Sequence, residues 1–139
     1  MLPGRVRRLP LILEAMLQAG RTEIALRRRR IDDLVRHLSS SPREPRVIHR
    51  SDGVSTGALC RAAVDSAYRV LPFEFTCLRR SIVLCRLRRR RGLAAYLRIG
   101  VRKREGRLEA HAWVVDDDGV PLTDPLDEFV EILPAAPAC

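Results

Sequence analysis

The sequence predicts an α+β fold, and two observations carry that reading. Up to Gly92 the apolar residues recur at helical spacing between stop signals; beyond it they alternate, and turn-forming residues follow at short intervals. A third observation bounds the size. With 139 residues, 46% apolar and only 4% aromatic, the chain suits one domain with a core of Leu, Val, Ile and Ala rather than stacked rings.

The elements follow in order. Leu9 to Gln18 reads as a helix ending at Gly20, and Thr22 caps a second helix running to about Leu38, where Ser39-Ser40-Ser41-Pro42 stops it. Residues 39 to 53, with two prolines, form a long loop. Ser55 or Thr56 caps a third helix through about Val70, stopped by Pro72. Thr76 is the N-cap of a fourth, which opens at Cys77, runs to about Arg91 and ends on Gly92 as its C′ residue. Leu97, Ile99 and Val101 then share one face of a strand, Arg104-Glu105-Gly106 turns into a second strand over Leu108 to Val115, and Asp116 to Gly119 turns again. Val120 to Asp124 forms a third strand and Phe129 to Leu133 a fourth. This divides the chain into an N-terminal helical arm and linker over 1–53 and a core over 54–139, within one compact domain.

Composition removes several function classes. The net charge is +9, yet 25 of the 26 basic residues are Arg and only Lys103 is Lys, a one-sidedness that coding bias explains as well as function does. The runs Arg27 to Arg30 and Arg88 to Arg91 wind around a helix and cannot form one stripe, and no nucleic-acid-binding motif accompanies them. No stretch reaches the roughly 20 apolar residues of a membrane span, and a cytoplasmic location with reduced thiols is expected. Cys60, Cys77, Cys85 and Cys139 show neither CxxC spacing nor a Cys/His cluster, so no metal and no cofactor are expected.

The chemistry sits in two segments. A cysteine at a helix N-terminus faces unpaired N–H groups that favour the thiolate, and Cys77 is so placed; Cys85, mid-helix, is the rival and suits packing. His111, in Ala110-His111-Ala112-Trp113, is the matching base on a strand. If the turn pairs Val115 with Val120, Asp124 falls directly opposite His111, with β-carbons about 4.5–5.5 Å apart, and orients the imidazole. Each member also has a plainer use: Cys77 as a small core side chain, His111 and Trp113 as packing, Asp124 as a turn former. Asp116, Asp117 and Asp118 are alternative carboxylates, in a turn that points away from the sheet centre. His37 and His49 belong to the arm.

Together, Cys77-Leu78-x-Arg80-Ser81, Arg90-Arg91-Gly92-Leu93, Leu97-Arg98-Ile99-Gly100-Val101, Ala110-His111-Ala112-Trp113-Val114 and Asp118-Gly119 with Asp124 beyond resemble the transglutaminase-like cysteine peptidases of bacterial lasso-peptide biosynthesis, the C-terminal part of the B protein of those pathways. The resemblance covers about residues 60 to 130; Val115 departs from it, standing where such proteins often have an acid. It implies a transglutaminase/papain-like core with the Cys-bearing helix packed on an antiparallel β-meander. It implies a Cys77-His111-Asp124 triad that removes the leader from a ribosomally made precursor. It also implies partners: the precursor peptide, a small leader-recognition protein and an ATP-dependent cyclase. A non-catalytic peptide-binding scaffold of the same fold is the alternative reading, and an Arg-rich nucleic-acid binder a third.

Overall fold

The structure, a computed structural model, describes residues 3–28, 31–39, 50–72, 74, 76–123 and 129–132. Four helices, α1 (Pro3–Arg27), α2 (Ile31–Ser39), α3 (Arg50–Val70) and α4 (Cys77–Arg89), precede β1 (Tyr96–Arg104), β2 (Arg107–Val115) and β3 (Val130–Glu131). The expected α+β order holds.

Helix α4 is the hub. Six of its residues, Ser81 to Cys85 and Leu87, are buried, so its middle is covered on every side and only its ends carry arginines. α1 and α3 pack against it and so does β2. Each fully buried aliphatic side chain along it contributes about 1.5–3 kcal/mol. Both ends are closed as the sequence predicts. The Thr76 hydroxyl accepts from the Arg79 N–H at 3.3 Å. At the other end Gly92, with φ 71°, lets its own N–H reach the Arg89 carbonyl and that of Leu93 reach Arg88.

The first helix departs from the expected break. α1 runs through Gly20 and Thr22 without interruption, because the buried Thr22 hydroxyl donates back to the Gln18 carbonyl at 2.8 Å instead of capping a new helix. Leu11, Ala15 and Ala19 lie in the core, so this segment is part of the packed body. Antiparallel to α4, it offers Glu23 to Arg79 at 2.9 Å, and Glu14 to Arg90 at 2.7 Å and to Arg91.

The sheet is antiparallel, in the order β2-β1-β3. A two-residue turn, Glu105-Gly106, with both residues at positive φ, joins β1 to β2. Leu97, Ile99 and Val101 stand opposite Val114, Ala112 and Ala110. The expected third strand is a single bridge, Val115 to Pro121, since proline supplies no N–H to extend a ladder. The last strand lies at the far edge, beside β1. Gly100 allows this face to close: a methyl there would come within 2.8 Å of Trp113 Cη2 and 3.0 Å of the Val130 carbonyl.

Gly100→Ala is therefore expected to destabilise the fold by about 1–3 kcal/mol in chemical denaturation. A second expectation concerns Glu14. Arg91, with Arg90 beside it, holds this carboxyl below its ordinary 4.5 despite partial burial. A folded-state value below the unfolded one adds stability above pH 4.5, lost as pH falls through the folded value. Glu14→Gln should cost about 1 kcal/mol at neutral pH, since the pair is partly exposed, and nothing once the wild-type carboxyl is protonated.

Candidate functional site

Cys77 begins α4, directly after the Thr76 cap, and is half-buried. Its N–H and that of Leu78 belong to the first turn, which has no helical carbonyl behind it. Cys60 and Cys85 are fully buried, and burial pushes their thiols up, that of Cys85 to about 12. Among the described cysteines, only Cys77 combines access with a helix N-terminus. Cys139 lies outside the described residues.

His111 sits midway along β2, opposite Gly100. Strand alternation sends Ala112 and Val114 into the core and puts His111 with Trp113 on the other face. There the imidazole stacks on the indole, centroids 6.3 Å apart and planes inclined by 13°, with the Phe129 ring 5.5 Å away. Arg102 lies over that Phe129 ring at 4.6 Å and bonds Glu109 at 2.7 Å. Trp113 therefore packs beside the histidine on this face rather than in the core.

What joins the two segments is a residue that the sequence shows within the Cys77 motif but to which it assigns no role. Ser81, one turn after Cys77, is 2% exposed and donates its hydroxyl to the Ala112 carbonyl at 3.1 Å. That carbonyl points away from β1. The Val114 carbonyl accepts from Leu122 N–H at 2.7 Å and its N–H donates to Thr123 Oγ1 at 3.3 Å, so Val114 turns its backbone away from β1. Antiparallel ladders alternate, so Ala112 does the same. The first turns of α4 therefore lie along the outer edge of β2, level with the residue after His111. The signal in the sequence was the Cys-x-x-x-Ser spacing, which puts both side chains on one helix face.

The third expected member, Asp124, lies outside the described residues, as does His49. The register leading toward it differs from the one assumed. Val115 pairs with Pro121 rather than Val120, because the Asp116 carboxylate accepts from both the Asp118 and Val120 N–H groups at 2.9 Å and holds a longer turn. Direct opposition of 111 and 124 therefore does not follow from the turn. Of the alternative carboxylates, Asp116 serves that turn and Asp117 accepts from the Tyr96 hydroxyl at 2.6 Å. His37 is exposed, on the outer side of α2, whose Val35 and Leu38 face the core. Among the described residues no cluster of three His, Cys, Asp or Glu is placed to hold a metal ion, and no helix is long and apolar enough to cross a membrane.

A limiting dose of iodoacetamide on the folded protein is expected to alkylate Cys77 ahead of Cys60 and Cys85, which should react only on unfolding. Peptide mapping by mass spectrometry reads this directly; equal labelling of the three would contradict the accessibility argument.

No curated protein and no solved structure matches the chain. A family model does, described as the transglutaminase-like superfamily, over residues 16–133, which takes in the C-terminal half of α1, the Cys77 helix and all three strands. On the breadth of that match, and with a helix opening on cysteine packed against a histidine-bearing antiparallel sheet, the chain belongs to the transglutaminase-like superfamily.

Proposed function

We propose that this protein is a cysteine peptidase that removes the leader from a ribosomally made lasso-peptide precursor, with Cys77 as nucleophile, His111 as base and Asp124 as the group that orients the imidazole. The superfamily includes both cysteine peptidases and transglutaminases, so the peptidase assignment goes beyond membership. The observation that carries it is the placement of the one accessible described cysteine at a capped helix N-terminus, beside the strand that bears His111.

The chemistry follows from the residue types. The Cys77 thiol passes its proton to His111, and the thiolate attacks the carbonyl joining leader to core. The tetrahedral oxyanion meets N–H groups at the start of α4, an arrangement worth a few kcal/mol in comparable enzymes (about 3). On collapse His111 returns the proton to the leaving amine, and an acyl-thioester remains on Cys77. Water, deprotonated by His111, then releases the leader with its new carboxylate. The partners that go with this reading are the precursor, a small leader-recognition protein that delivers it, and an ATP-dependent cyclase acting on the released core; the compartment is the cytoplasm.

The test is cleavage of a cognate lasso-peptide precursor, followed by mass spectrometry. Cys77→Ala should abolish it with the fold intact, and His111→Ala should lower it by at least about 100-fold. Undiminished cleavage by Cys77→Ala would remove the assignment. A wild-type protein that binds the precursor but never cuts it would favour a peptide-binding scaffold of the same fold.

A further inference from the structure

We infer that Ser81 is a positioning residue for the Cys77 and His111 pair, an inference that rests on the peptidase reading. A serine inside a helix ordinarily turns its hydroxyl back to the carbonyl four residues before it, and for Ser81 that carbonyl belongs to Cys77. Instead the hydroxyl leaves the helix and donates to the Ala112 carbonyl at 3.1 Å. Two consequences follow from that one choice.

The first is mechanical. Ser81 lies one turn from Cys77, and Ala112 is bonded through its own peptide to His111, so the contact ties the nucleophile's element to the base's element by a short buried path. It is a buried side-chain hydrogen bond that crosses from α4 to β2. Apolar packing of α4 against the core face of the sheet holds the two elements together but tolerates sliding, because dispersion contacts have little directionality. A hydrogen bond to one named carbonyl sets the axial register of helix against strand. An error of about 1 Å in such a register is enough to cost roughly 100-fold in rate.

The second is electronic. With its hydroxyl engaged at Ala112, Ser81 does not draw on the Cys77 carbonyl, and the start of the helix is spared the bend that such back-bonding brings. The path also explains a polar residue at a position that is 2% exposed and is followed along the helix by the buried Ile82, Val83, Leu84 and Cys85. A buried hydroxyl without a partner is costly, whereas alanine would be the better helix former.

The experiment measures the rate of Cys77 alkylation by iodoacetamide against pH in the full chain, with thermal unfolding recorded for each variant. In the wild type the profile should show reactivity below neutral pH that His111→Ala removes. Ser81→Ala should remain folded and yet lose roughly tenfold or more of that low-pH reactivity, its profile moving toward that of His111→Ala. Ser81→Thr, which keeps the hydroxyl, should restore the wild-type profile. A purely structural serine would change the melting temperature and leave the profile in place, so coincident wild-type and Ser81→Ala profiles overturn the inference while leaving the peptidase reading intact. Wild-type reactivity that ignores His111 would instead defeat the peptidase reading, and the inference with it. Should Ser81→Ala fail to fold, Ser81→Thr decides: a folded Thr variant with a displaced profile counts against the inference.

Discussion

A helix without a solvent-facing side in its middle is the constraint on which this molecule depends. From Ser81 to Leu87 nearly every residue of α4 is buried, so the chain must supply cover all around it. α1 and α3 provide it on one side and the sheet on the other. The two ends of α4 are then the only parts left for other work. The N-terminal end presents Cys77, and the C-terminal end carries arginines whose partners lie on three different elements.

Those arginines account for part of the charge that made the composition look suited to an acidic partner. Arg89 donates to the Ala95 carbonyl and to the carbonyls of His37 and Leu38, the last turn of α2, where helical carbonyls have no acceptor-satisfying N–H of their own. Arg88 reaches the Ala94 carbonyl and Arg91 that of Leu87. Burial makes Arg88 and Arg89 hold their protons less firmly than a free guanidinium, but the carbonyl dipoles around them fit the charged form. Planar, five-donor arginine suits this use, since one side chain satisfies carbonyls from two elements; lysine lacks the geometry.

The parts legible in the sequence were those set by local chemistry. Thr76 and Gly92 mark α4 at both ends because a cap and a left-handed glycine act within one turn of themselves, and the switch to alternation after Gly92 marks the β1–β2 hairpin for the same reason. The parts that were not legible depend on distant partners. Gly20 and Thr22 look like a break until Thr22 is seen buried, its hydroxyl satisfied within the helix. The turn after β2 is longer by one residue because a single carboxylate, Asp116, takes two N–H groups, and nothing in the spacing of Asp116 to Gly119 distinguishes that from a tighter turn. Cys77 and His111 were visible as residue types in suitable contexts. The link between their elements was not, since it runs from an ordinary serine to a backbone carbonyl.

That link bears on one more property of the molecule. Along the outer edge of β2 the Ala112 carbonyl is taken by Ser81, and both backbone groups of Val114 are taken by Leu122 and Thr123. An exposed strand margin is normally an invitation to polymerise with another copy of the chain. Here three of the groups along that margin, the Ala112 carbonyl and both backbone groups of Val114, are already engaged within the chain, which removes them from any ladder with a neighbouring molecule or an extended peptide.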